Sequence, residues 1–315
     1  MNCHIVPMTY LRSWATDDTY SKDRHKRKTY VSEKSKRPIK SQLKKTEKIQ
    51  ETTIVQEDLY LITEAVIKAA INPQAQKTVK IDPEVIEKYM SVHYEQPWGN
   101  AIKNLNSQSP LLAKWEDYID LFLEFIALQE LRTPEEIEPE IKSIMCCIQY
   151  ILRDRSDTPD EMLKALREHF KAEESMVKIQ FIWSLYRVAA SGEPQNAHTK
   201  FVQKLFNNYQ RYLLIIKNND YEFITSDFPI YNNNSGRIDD GLYFPINRNA
   251  CLFLAKGKHD DNLEVIEAGS EVVQFVNHLM RKAAKKILIS SVPLTEDYFL
   301  ETCPEEDFRK ILGVE

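Results

Sequence analysis

The sequence predicts an α+β fold that is mainly helical, a multi-helix bundle with a small antiparallel sheet contributed by the C-terminal third. Three observations predict it. Apolar residues recur at helical spacing through much of the first two thirds, short β-branched and aromatic runs cluster after Tyr212, and only seven glycines punctuate the 315 residues. With 43% hydrophobic residues, a chain of this length buries a substantial core. The expected layout is a single large domain over 1–315, helical over about 1–210 and sheet-containing over about 211–315.

Val6, Tyr10, Leu11 and Trp14 fall at helical spacing after Pro7, a residue tolerated in a first turn. A short amino-terminal helix is therefore expected, with His4 just outside its positive end. Lys28-Thr29-Tyr30-Val31 reads as a brief strand, and the rest of a basic flexible excursion over about 22–48 reads as loop. Asp58 to Ile71 is apolar at helical period. Asp82-Pro83 opens another helix that carries Ile86, Tyr89, Met90 and His93.

Leu111 to Leu131 is the strongest helical pattern, with Trp115, Ile119, Phe122, Phe125, Ile126 and Leu128 forming a broad apolar face. Thr133-Pro134-Glu135-Glu136 and Thr158-Pro159-Asp160-Glu161 are two further start signals, and another helix runs from about Ala172 to Ala190. From Tyr212 the pattern changes. Tyr212–Ile216 and Tyr221–Thr225, separated by Lys217-Asn218-Asn219-Asp220, predict one hairpin, and Leu242–Ile246 with Ala250–Ala255 predict a second. Ser270–Lys286 returns to helical period, and Ile287–Ser291 reads as a strand.

The net charge of −5 hides an uneven distribution. Residues 22–48 hold 12 Lys and Arg against 3 Asp and Glu, a local +9, which leaves 30 against 44, or −14, for the remainder. Such a tract with Tyr30 in it has two readings: a nucleic-acid surface built on Lys26, Arg27 and Lys28, or a solvated stretch that keeps itself soluble. Five cysteines form no Cys-x-x-Cys pair, so neither a disulfide framework nor a structural zinc site is indicated. Cys3 beside His4 is the sole Cys-His neighbour pair, and a metal there would need ligands from distant sequence. No apolar run reaches membrane-spanning length and the start lacks a signal core, so a cytoplasmic location without membrane partners is expected.

Two polar signatures stand near opposite ends: His4-Ile5-Val6-Pro7-Met8-Thr9-Tyr10-Leu11-Arg12 and Phe223-Ile224-Thr225-Ser226-Asp227-Phe228-Pro229. Between and after them lie Tyr94-Glu95 with Ala101-Ile102-Lys103, Leu128-Gln129-Glu130-Leu131-Arg132-Thr133-Pro134, Tyr243-Phe244-Pro245-Ile246, and Val276-Asn277-His278-Leu279 before Ile287-Leu288-Ile289-Ser290. In order and rough spacing this set resembles a bacterial family known as domain of unknown function 4238. Trp14 stands where that family usually has Phe, and the basic tract is longer than usual. The resemblance implies an association with phage-defence loci, and so an effector with a nuclease-like or translation-blocking action.

The polar positions within those segments are His4, Glu95, Gln129, Arg132, Ser226, Asp227 and Asn277. His4, Asp227 and Glu95 are the candidate catalytic groups, and Arg132, Gln129, Ser226 and Asn277 the candidate substrate-binding ones. A base, carboxylates and an arginine suit hydrolysis of a phosphodiester, with or without a divalent metal ion, once they converge on one pocket. Each also has a structural reading. His4 can bond a helix end, Glu95 can be solvated, Arg132 can complement a helix terminus, and Asp227 can cap a turn. Phosphate-loop, dinucleotide, zincin and esterase motifs are missing from the sequence. Two functions thus stand: a cytoplasmic effector hydrolysing nucleic acid or a nucleotide, and a non-catalytic binding or sensor module whose polar residues form a structural network.

Overall fold

The computed structural model describes residues 2–4, 6–16, 26–46, 48–49, 55–57, 91–106, 114–131, 205, 207–216, 220–233, 235–256 and 262–314. A short strand β1 (Asn2–His4) pairs antiparallel with β4 (Val55–Glu57). Pro7 precedes α1 (Met8–Leu11), which tightens into a 3-10 turn at Arg12–Trp14. A π-turn at Ser91–Glu95 leads into α2 (Gln96–Asn106), and a 3-10 turn at Trp115–Tyr118 leads into α3 (Ile119–Leu131). The later helices are α4 (Ser270–Ala283) and α5 (Glu305–Ile311).

Two larger sheets organise these helices. The first joins β5 (Tyr209–Ile215), β7 (Tyr231–Asn233), β8 (Gly241–Asn247), β9 (Ala250–Lys256) and β10 (Leu263–Glu267). Its order is β10-β5-β9-β8-β7, with β10 parallel to β5 and the other pairs antiparallel. The second joins β2 (Lys28–Glu33), β3 (Ser41–Lys45), β6 (Thr225–Ser226) and β11 (Ile287–Ser290) in the order β3-β2-β11-β6, antiparallel throughout.

Strand alternation divides the apolar residues into two cores. Leu213 and Ile215 of β5, with Ile287 and Ile289 of β11, join a core containing Tyr10, Trp98, Phe122 and Phe125. Tyr212 and Leu214, with Leu288, face the other way into a core closed by Val272, Val276 and Met280 of α4 and Phe308 of α5. Both sheets thus lie between helical layers. Each fully buried side chain of this size contributes about 1.5–3 kcal/mol.

The expectation of a mainly helical bundle with one small sheet is overturned: the described residues carry sheets of five and four strands, two of whose strands come from residues 28–45. The α+β class itself stands. Ser41–Lys45 lacks the β-branched residues by which strands are read, yet it lies at a sheet edge, where lysine is tolerated and one neighbour suffices. The helices expected over 58–71, 133–190 and most of 82–93 fall outside the described residues.

The hairpin expected from Tyr212–Ile216 and Tyr221–Thr225 does not form. The first run becomes a central strand paired with β9 and β10, and the second leaves that sheet so that Thr225–Ser226 pairs with β11. Burial on both faces made each run look like a generic strand without naming its neighbour. By contrast, the β8–β9 hairpin forms as read, its turn closed by the Asn249 amide donating to Asn247 Oδ1 at 2.8 Å. No helix among the described residues is long and apolar enough to cross a membrane.

Candidate functional site

Residues of the amino-terminal turn and of α4 meet around the segment 222–228. Tyr10 and Trp14 reach it from the amino-terminal helix because their apolar rings must be buried while their polar tips need partners. Tyr10 packs against Phe244 and Trp14 with ring centroids 5.4 and 4.7 Å away, and its phenol donates to Pro245 O at 2.7 Å. That spends its one proton, so the Thr225 hydroxyl, 2.8 Å away, is the donor in the second bond. Trp14 Nε1 donates to Phe223 O at 3.1 Å. Burial pushes the Tyr10 phenol well above its ordinary pKa, so it stays protonated.

Asn277 approaches from α4. Its Oδ1 accepts the Ile224 amide at 3.0 Å, and its Nδ2 donates to Glu222 O at 2.9 Å. The side chain is fully buried and substitutes for a strand neighbour along this stretch. Glu222 in turn accepts from the Ser291 amide and hydroxyl. Ser226 closes a local turn, its hydroxyl donating to Phe228 O at 2.5 Å and accepting from the Phe228 amide at 3.0 Å.

Asp227 is half-buried, and each carboxylate oxygen accepts a backbone amide, from Lys285 at 2.9 Å and from Lys286 at 2.8 Å. These amides follow the end of α4. Lys34 holds the same helix end, donating to Lys282 O at 2.9 Å and Ala284 O at 2.6 Å, where the helix presents unpaired carbonyls and the negative end of its dipole. Burial raises the Asp227 carboxyl above its ordinary pKa, while the amides pull it back down.

Asp227, Ser226 and Asn277 are therefore brought to one segment, where each bonds backbone. Glu95 is half-buried at the end of the π-turn before α2, and Gln129 is buried near the end of α3. His4 ends β1, its Cα opposite Val55, and Arg132 lies outside the described residues. Among the described residues no group of His, Cys, Asp and Glu is placed to hold a metal ion.

Sequence reasoning read Tyr10 and Trp14 as an apolar helix face and missed their hydrogen bonds. The signal available was residue type, since a buried Tyr or Trp brings a donor that must be satisfied. Thr29 was missed too. Its hydroxyl lies 2.7 Å from both Trp14 O and Ser290 O, joining the amino-terminal turn to the second sheet.

The basic tract lies on a different part of the second sheet. Lys26 and Lys28 are exposed and Arg27 is half-buried, its carbonyl accepting the Thr46 amide at 3.1 Å. In the β2–β3 register, Lys28 is opposite Lys45, Tyr30 opposite Leu43 and Ser32 opposite Ser41. Directly opposed residues share a face, and the 2.8 Å contact between the Ser32 and Ser41 hydroxyls shows it here. Lys44 and Lys45 are exposed, and Leu43 keeps 44% of its surface accessible.

No curated protein and no solved structure matches the chain. One family model does, that of a protein of unknown function termed DUF4238, and its match extends over residues 2–292. With both terminal signatures inside that match, the chain belongs to this family.

Proposed function

We propose that this chain is a non-catalytic binding module for nucleic acid, which docks on the outer end of the β2–β3 hairpin, while Tyr10, Thr225, Asp227 and Asn277 hold the fold. The observation that carries the reading is the exposed Lys28–Lys45 pair, like charges set directly opposite each other on one sheet face. Such a pair costs about 0.2–1 kcal/mol, a cost that a phosphate placed between the ammonium groups would offset. Lysine on an edge strand also deters strand pairing with other molecules, which accounts for Lys44 and Lys45 on β3. Lys28, on the inner strand, and the neighbouring Lys26 extend the positive charge beyond that edge. Counterion release from phosphates engages all of them. A surface of this kind would suit the phage-defence effector that the family resemblance implies.

Two features weigh against hydrolysis at Asp227. Both of its oxygens already accept backbone amides, and its neighbours Ser226 and Asn277 are likewise engaged with backbone. The test is a titration of the full chain with fluorescein-labelled oligonucleotides at several salt concentrations. Lys28→Ala with Lys45→Ala should weaken binding and flatten the slope of log K against log salt by about 1.4–1.8, the loss of two phosphate contacts. Unchanged affinity and slope would overturn the reading.

A further inference from the structure

The second sheet has one face that is covered at one end and bare at the other. Ser32 on this face is buried, and the Ser41 hydroxyl opposite it accepts the Leu294 amide at 2.8 Å, so the turn after β11 roofs that end. Two residues further along, about 6.6 Å at the usual strand rise, comes the Tyr30–Leu43 pair, with Tyr30 half-buried and Leu43 exposed. Lys28 and Lys45 follow after the same interval. The bare end thus presents an aromatic ring and an aliphatic side chain next to a pair of cations.

We infer that this hairpin selects single-stranded over duplex nucleic acid, with Tyr30 stacking on an unpaired base beside Leu43 while Lys28 and Lys45 contact the adjoining phosphates. The inference rests on the nucleic-acid reading above and narrows its substrate class. Cations alone would serve any polyanion, but Leu43 and the Tyr30 ring gain nothing from a phosphate. Each instead offers an apolar surface to the face of a base, which a strand exposes only when it is unpaired. A two-stranded ribbon can enter a duplex major groove, but only if it stands clear of its sheet. Here β2 is paired along Tyr30–Glu33 with β11, so the hairpin presents a face and not a free ribbon.

The test is fluorescence anisotropy of the intact chain with a labelled single-stranded DNA, an RNA of the same sequence and the blunt DNA duplex. Both single strands should bind more tightly than the duplex. A preference between DNA and RNA would say which of the two the hairpin receives. Tyr30→Ala should weaken single-strand binding about tenfold, within the range for loss of one base stack, with the salt slope and the duplex affinity unchanged. Tyr30→Phe keeps the ring and should retain single-strand affinity, which separates stacking from damage to the fold. Equal or tighter duplex binding, or a Tyr30→Ala chain that binds single strands normally, would overturn the inference while lysine-dependent binding persisted. Absence of any lysine-dependent binding would overturn the underlying nucleic-acid reading as well.

Discussion

The segment 222–228 and the outer end of the β2–β3 hairpin both concentrate polar residues, and they use them in opposite ways. In the segment, the polar side chains of Tyr10, Thr225, Asp227 and Asn277 are paired with named partners, mostly backbone groups, and sit in or beside the core. On the hairpin, Lys26, Lys28, Lys44 and Lys45 stand exposed, with like charges opposed. Buried polar groups are satisfied within the protein because water is absent, whereas exposed ones are also open to solvent and to other molecules. The difference is that Asp227 and Asn277, residue types that suggest catalytic chemistry, have their polar atoms engaged by backbone groups of other elements.

The largest effect is expected at Asn277. Asn277→Ala leaves the Ile224 amide and the Glu222 carbonyl without their partner, and urea denaturation should show a loss of about 2–4 kcal/mol, the penalty of two orphaned groups. A loss under 1 kcal/mol would show that α4 and the segment do not depend on each other.

Asp227→Asn tests the same fastening near the end of α4. The amide side chain keeps one acceptor oxygen for the two amides of Lys285 and Lys286, so a loss of about 1–3 kcal/mol is expected. A catalytic carboxylate would behave differently. Wild-type stability combined with loss of a nucleic-acid cleavage activity would move Asp227 back to the chemistry.

The hairpin should respond with the opposite sign. Removing one member of the opposed pair, by Lys45→Ala, should raise the stability of the nucleic-acid-free chain by about 0.2–1 kcal/mol at low salt, with the gain shrinking as salt is added. A marked destabilisation would mean that Lys45 packs rather than repels. Low ionic strength gives the clearest reading.

The smallest effect concerns His278, next to Asn277 on α4 and half-buried. Burial, then the charge of Lys282, lowers its pKa below the ordinary 6.5, with Arg281 and Arg37 adding in the same direction and Glu301 opposing. Below pH 6.5 the unfolded chain then binds more protons than the folded one, so this contribution to stability is present above that pH and is lost as pH falls through the folded pKa. His278→Gln should flatten the acid limb of the stability profile in that window, measured by thermal melts from pH 7 downward. An unchanged limb would place the acid sensitivity elsewhere.

Parts of this molecule were legible because the responsible interactions are local. The spacing of Val6, Tyr10, Leu11 and Trp14 gave the amino-terminal helix, two apolar runs flanking Asn247-Arg248-Asn249 gave the β8–β9 hairpin, and the period after Ser270 gave α4. Ser41–Lys45 was missed because an edge strand can be built from polar residues, and the partner of Thr225 was misplaced because Ile289, which faces it, comes from a strand much later in the chain. At the candidate site, residue type singled out Asp227, Ser226 and Asn277, but nothing in residue type says that their partners are backbone groups.

By itself the sequence determined the local periodicities, the family signatures and the excess of positive charge over residues 22–48. The tertiary structure alone decided that these residues build two sheets, that β2 and β3 carry the charge, and that Tyr10 meets Thr225 across 215 positions of chain. The physical reason is that a helix or turn closes its hydrogen bonds within a few residues, whereas a strand or a buried polar side chain takes its partner from whatever the packed core brings alongside.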